Sequence, residues 1–298
     1  MKSAIQTGRL PEFVIIGAMK SATSSLYEQL VEQPGIFMCT PKEPNFFSDD
    51  AQYAKGLPWY SSLFVEAPEG NLLGEASTHY TKLPTYPKSV QRLKERLPNA
   101  HFVYVMRHPV DRLISHYIHE WSTGIYRCGI EEAIDKHPEM VAYGQYAIQL
   151  EPYIAAFGRE AILPVFFDHL HAEPQAELER ICRFIGYSGQ PIWKHDLKPD
   201  NVSSERIRRF PGYRLLVDSG PATWLRRNFI PQSLRDAVKT KLRKQKRPVL
   251  NEQTRTRLEE QFDRDLAQLG QWLGVDLNCK NFKQTTAATT LSWVIMNE

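Results

Sequence analysis

The chain has no apolar run long enough to span a membrane, and its start lacks the basic-then-apolar layout of a secretory leader. A cytoplasmic location is the resulting expectation. Cysteine is scarce as well. Cys39, Cys128, Cys182 and Cys279 show no C-x-x-C spacing, which argues against a zinc knuckle or a disulfide framework and for reduced thiols. His116 and His119 are spaced to meet on one helix face, but with no obvious third ligand no metal is expected. Glycine is missing where common nucleotide turns need it. The chain contains neither the G-x-x-x-x-G-K-[S/T] loop of nucleoside triphosphatases nor the G-x-G-x-x-G turn of dinucleotide-binding folds. What remains is a 298-residue chain with 42% hydrophobic residues, enough for one large α/β domain over residues 1–298. No long internal repeat divides it.

The most informative stretch present is 13–30. Phe13 to Ile16 is a short β-branched run of the kind that forms a buried parallel strand. Leu26 and Leu30 lie four apart on one helical face, and Pro34-Gly35 stops the helix. Between strand and helix stand Lys20, Ser21, Ala22, Thr23, Ser24 and Ser25. Unpaired N–H groups at a helix start, the positive end of its dipole, several hydroxyls and one ammonium converge there, which suits a terminal phosphate-like group. The same small polar residues would also serve as ordinary helix caps.

A second strand-to-helix passage runs from His101 to Glu120. Phe102 to Met106 forms the strand, Arg107 stands at its carboxyl end, and Pro109 is placed to begin the helix. Arg107 can grip a phosphate bidentately, and Ser115, two turns on, can add a hydroxyl if the helix passes beside the ligand. Arg112 reads as a structural partner ahead of a direct ligand contact.

Taken together, the first segment resembles the 5′-phosphosulfate loop of sulfotransferases, and Arg107 to Tyr117 resembles their 3′-phosphate motif, R-x-P-x-x-R-x-x-S-x-Y. The chain is similar over roughly residues 11–210 to the sulfotransferases that use 3′-phosphoadenosine 5′-phosphosulfate (PAPS), in particular the heparan sulfotransferase branch and its bacterial relatives. The resemblance implies a three-layer P-loop-like α/β fold, with a central parallel sheet flanked by helices, and PAP as product. It implies that Lys20 stabilises charge on the bridging oxygen, that Ser21 to Ser25 hold the 5′ phosphate, and that Arg107 and Ser115 hold the 3′ phosphate. Ala22 stands where the family often has glycine, so a left-handed turn there would be uncomfortable.

Thr40-Pro41-Lys42-Glu43-Pro44-Asn45-Phe46-Phe47 resembles the segment whose glutamate acts as general base, which makes Glu43 the candidate base and Lys42 a candidate catalytic cation. In Gly74-Glu75-Ala76-Ser77-Thr78-His79-Tyr80 the family can carry a second catalytic lysine, and Ala76 occupies that place. Glu75 and His79 are candidate acceptor contacts, as is Tyr143. Ser203, Ser204 and Arg206 fall in a segment resembling the lid over the 3′ phosphate. The acceptor implied is a small molecule or a saccharide hydroxyl or amine.

From Arg206 through Arg247 there are thirteen Lys/Arg against two Asp/Glu, while the whole chain carries only +3. Such a stretch reads as an insertion facing an anionic polymer or a membrane surface, with no specific nucleic-acid recognition expected. Residues 252–273 place Leu258, Phe262, Leu266, Leu269 and Leu273 on one helical face, and the polar residues 283–298 read as a mobile tail. A phosphoryl-transferring nucleotide kinase and a non-catalytic anion-binding protein are the alternatives to a sulfotransferase at this level.

Overall fold

The computed structural model describes residues 8–197 and 247–294. The expectations for Ser203, Ser204 and Arg206, and the basic stretch up to residue 246, lie outside the described residues.

Among the described residues the strands are β1 (Phe13–Gly17), β2 (Ile36–Met38), β3 (Leu72–Ala76), β4 (His101–Met106) and β5 (Ile162–Phe166). They form one sheet in the order β2-β3-β1-β4-β5 with every pairing parallel. The central strand β1 is buried throughout, as a parallel strand covered on both faces must be. Its side chains alternate between two cores. Val14 and Ile16 join Phe102, Tyr104 and Met106 on one face, whereas Phe13 and Ile15 join Val103 and Val105 on the other.

The helices, in chain order, are α1 (Thr23–Val31), α2 (Asp50–Tyr53), α3 (Gly56–Ser62), α4 (Ser89–Arg96), α5 (Pro109–Thr123), α6 (Ile130–Lys136), α7 (Glu139–Ala142), α8 (Tyr146–Phe157), α9 (Phe167–Ala172), α10 (Pro174–Phe184), α11 (Glu252–Leu273) and α12 (Phe282–Ala288). Leu26 and Leu30 of α1 and Leu178, Ile181 and Cys182 of α10 pack on the Phe13/Ile15 face. Leu113 of α5, Leu150 and Tyr153 of α8 and Leu258, Phe262 and Leu266 of α11 pack on the other. The result is a three-layer α/β fold. No described helix is long and apolar enough to cross a membrane.

This topology positions the site. The chain leaves β1 through α1 toward β2 at one edge, and leaves β4 through α5 toward β5 at the opposite edge. Because β1 and β4 are neighbours, their carboxyl ends flank the crevice where open parallel sheets bind ligands.

Gly17 ends β1 at φ +157°, and a Cβ there would lie 2.1 Å from Thr81 Oγ1 and 2.8 Å from the Tyr104 ring. Thr81 Oγ1 is already committed to Ile16 O at 2.6 Å and cannot retreat cheaply. Gly17→Ala is therefore expected to lower the unfolding free energy by about 3 kcal/mol, the upper end of overpacking costs, in a chemical denaturation series.

The carboxyl-terminal region departs from expectation. α11 matches the predicted helix and is capped by Asn251 Oδ1, which accepts from Thr254 N at 2.7 Å. The expected mobile tail instead begins with α12. Phe282 and Thr286 are fully buried, His169 Nδ1 meets Ala287 O at 3.2 Å, and Trp293 Nε1 donates to Ile162 O at 2.6 Å. The threonine-rich composition hid a few anchoring side chains that tie residues 282–294 to α9 and β5.

Candidate active site

The cradle begins where β1 ends. Ala18 N donates to Val105 O at 2.8 Å, fastening the turn to β4, and Ser21 N donates to Ala18 O at 3.2 Å. Lys20 and Ala22 both adopt left-handed backbone conformations, at φ 71° and 68°. The discomfort expected of Ala22 is thus accepted by the fold, and non-glycine residues held this way cluster at ligand clamps. Leu26 N is the first amide bonded back into α1, to Ala22 O. No described side chain caps the helix start, and its first turn carries no acidic residue. The helix dipole therefore presents a positive end suited to an anion.

Lys20, Ala22, Thr23, Ser24 and Ser25 line a cleft of about 750 Å³, together with Lys42, Glu43, Thr78, His79, Lys82, Arg107, Ser115, His119, Glu120, Phe167 and His171. Ser21 does not line it. Its side chain is fully buried, because the turn aims it at the core rather than at the cleft.

Arg107 approaches from β4. Its guanidinium lies 4.5 Å from the centroid of the Phe167 ring, and Nη1 donates to Lys20 O at 3.3 Å, so it also braces the cradle. Its backbone N–H donates to Tyr146 Oη at 3.2 Å. Pro109 opens α5 as expected, and His108 is its N-cap, with Nδ1 accepting from Asp111 N and Nε2 directed to Cys279 O at 2.9 Å. That arrangement places the proton on Nε2. Ser115 comes to the cleft wall from two turns into α5. Arg112 does not reach the cleft. It is completely buried and donates to Met140 O, which makes it a structural residue.

The opposite wall is the loop after β2. Glu43 N donates to Ala76 O at 3.0 Å and Asn45 N to Ser77 Oγ at 3.1 Å, pinning the loop across the end of β3. Glu43 itself has φ 58°. Its Oε1 accepts from Lys42 Nζ at 3.3 Å and Thr78 Oγ1 at 3.2 Å, while Oε2 makes no hydrogen bond among the described residues. Lys42 Nζ also donates to Ser24 Oγ at 3.0 Å. That bond joins the carboxylate wall to the cradle. His79 stacks on Tyr86 at 4.7 Å, and burial, reinforced by the nearby Lys82 charge, pulls its pKa down to about 4, so it is neutral at pH 7.

Two expected contacts are not brought to the cleft. Glu75 is fully buried on the inner face of β3, where its carboxylate accepts from Tyr60 Oη and from Tyr80 Oη at 2.7 Å, and burial raises its pKa. Tyr143 sits behind the wall, its hydroxyl 2.5 Å from Thr85 Oγ1 and its ring stacked on His116 at 5.8 Å. Ala76 packs in the core on the α1 side, so β3 supplies no cation at that place.

Residues 51–191 match the family described as "Sulfotransferase family". Over that stretch the chain is similar to the sulfotransferases. Heparan sulfate glucosamine 3-O-sulfotransferase 3A1 of Mus musculus is 30% identical over 187 residues, which is 60% of this chain and 46% of that protein. The bifunctional heparan sulfate N-deacetylase/N-sulfotransferase 4 of Mus musculus is 26% identical over 197 residues, 59% of this chain and 22% of its own length. The chain thus spans less than half the length of these curated relatives. A sulfotransferase from Alicyclobacillus acidocaldarius superposes with a TM-score of 0.62 at 24% identity, covering 90% of this chain and 98% of that one, which establishes a shared fold. The family match includes Arg107 and Ser115 but begins after the cradle and the Lys42-Glu43 loop. Those two elements rest on the geometry above.

Sequence reasoning missed Lys82, Thr78, His119, Glu120, Phe167 and His171 as cleft residues. Phe167 was within reach, since it directly follows β5 and ligands gather at carboxyl ends of parallel strands. Thr78 stands in the family-like segment Gly74 to Tyr80, and the others carry no motif signal.

Proposed function

We propose that the chain is a PAPS-dependent sulfotransferase acting on a hydroxyl or amine of a saccharide. The observation that carries the donor assignment is the uncapped, acid-free start of α1 sharing one cleft with Arg107 and Ser115. Two separate anion-binding features suit a nucleotide carrying phosphates at both ends of its ribose. The cleft volume falls within the range of small-molecule sites. A saccharide acceptor is favoured by the two curated relatives, both named for heparan sulfate.

When bound, PAPS supplies the sulfuryl group. As the acceptor oxygen or nitrogen bonds to sulfur, the bond from sulfur to the bridging oxygen breaks and its electron pair stays on PAP. The α1 start and Lys20 face that developing charge and lower its energy. Glu43 takes the acceptor proton, with Lys42 and Thr78 fixing the orientation of its carboxylate. Arg107 and Ser115 hold the 3′ phosphate, which excludes nucleotides lacking it. The phosphate grips at both ends keep the donor in line with the acceptor.

The test is transfer of radiolabelled sulfuryl from PAPS to desulfated heparan oligosaccharides, with ATP and magnesium as the competing donor condition. Labelled product with PAPS supports the reading. Phosphoryl transfer from ATP without sulfuryl transfer contradicts it.

A further inference from the structure

Of the cleft lysines Lys20, Lys42 and Lys82, Lys82 is the one that neither the motifs nor the mechanism above accounts for. It follows the short turn Thr78–Thr81, and its backbone is fixed by Lys82 N to His79 O at 3.2 Å and Tyr86 N to Lys82 O at 3.1 Å. The residue is only 8% exposed, yet it lines the cleft. Its ammonium lies 5.7 Å from the centroid of the Tyr143 ring, which is itself held by Thr85 and His116. No described carboxylate comes within 4.0 Å of it. A lysine so placed is costly unless something negative completes it, because a buried ammonium loses its hydration.

The surrounding groups do not complete it. Glu43 and Glu120 favour its charge from beyond ion-pair distance, whereas Arg112 opposes it. His79 and His116, the neighbouring imidazoles, have their pKa values pulled down to about 4 and about 2 by burial and by the Lys82 and Arg112 charges, and are neutral at pH 7. Tyr143 contributes a ring face. Burial in this setting lowers the Lys82 pKa to about 8, so without an anion beside it the lysine loses part of its charge within reach of physiological pH.

The other cleft cations have work elsewhere. Arg107 braces the cradle, and Lys42 bridges Ser24 and Glu43. Lys82 shares the cleft with Glu43 and with Glu120 of α5, whose charges favour its own. With phosphates held at the α1 start and at Arg107, Glu43 and Lys82 are charged groups of the cleft left to meet the donor's terminal group.

We propose that Lys82 binds the sulfonate oxygens of the donor and is a catalytic residue that neutralises the sulfuryl group as it moves between PAP and the acceptor. This rests on the donor reading above. Bond making and breaking are unchanged by it: the sulfur–bridging-oxygen bond breaks, the acceptor–sulfur bond forms, and the acceptor proton goes to Glu43, while Lys82 keeps its own proton throughout.

The experiment needs no acceptor. Calorimetric affinities for PAPS and PAP are compared in wild type, Lys82→Met and Lys82→Arg between pH 7 and 9. Losing one hydrogen bond to a charged group is expected to weaken PAPS about tenfold in Lys82→Met while PAP changes less than about twofold. Wild-type PAPS affinity is expected to fall as pH rises through about 8, where the free lysine loses its proton, and the arginine variant is expected to lack that fall. Equal weakening of PAPS and PAP, or no weakening of either, overturns the assignment and leaves Lys82 to a structural role or to the acceptor. Wild type failing to bind PAP at all is a separate outcome, which removes the donor reading and this inference with it.

Discussion

Replacing Arg107 by alanine is expected to weaken PAP binding about 100-fold while changing AMP affinity far less. A bidentate guanidinium–phosphate contact comprises two hydrogen bonds to charged groups, and roughly 3 kcal/mol for the pair corresponds to that factor. AMP lacks the 3′ phosphate, so it has little to lose. The guanidinium also stacks on Phe167 and donates to Lys20 O, so a small loss for AMP through the cradle is expected too. Arg107→Lys separates the two effects. It keeps the positive charge but not the fork, and it should fall between wild type and alanine for PAP. Comparable titrations of all three proteins with PAP and AMP check this. Equal losses for both nucleotides would move Arg107 from the 3′ phosphate to a purely structural role.

Glu43→Gln is expected to lower kcat for sulfuryl transfer about 1000-fold with PAP affinity nearly unchanged, since a positioned general base contributes about 100- to 10,000-fold. The amide keeps the volume and can still accept from Lys42 and Thr78, so the loop should stay in place. That loop is well anchored. Its backbone is tied to Ala76 O and Ser77 Oγ, and Phe46 and Phe47 are fully buried against Tyr60. The left-handed backbone at Glu43 is the kind of strain that packing of this quality can sustain, and it sets the carboxylate at the cleft. Steady-state kinetics with a working acceptor, alongside calorimetry with PAP, read both halves of the expectation. A variant that keeps its kcat would require another group to take the proton.

The layered architecture was legible because β1 and β4 are continuous apolar runs and α11 has a regular apolar face, so period alone identifies them. The cradle and Arg107 were legible because strand-to-helix turns put chemistry at predictable ends of a parallel sheet. Facing was harder. Glu75 and Ser21 stand in the right segments, yet one residue of register on β3, or one turn of backbone at the cradle, decides between cleft and core. Tyr143 lies one layer too deep for the same reason. Lys82 was illegible because its direction depends on a short helical turn and on a tyrosine wall contributed sixty residues later. The tail was misread from composition, where a few buried anchors such as Phe282 and Trp293 outweigh a polar tract.

The central claim is that one cleft holds a nucleotide phosphorylated at both its 5′ and 3′ positions. Calorimetric titration of the wild-type protein with PAP, with AMP and ATP as controls, tests it most directly. The account predicts PAP binding at least about 100-fold tighter than AMP, reflecting the second phosphate grip at Arg107 and Ser115. PAP binding no tighter than AMP would contradict it.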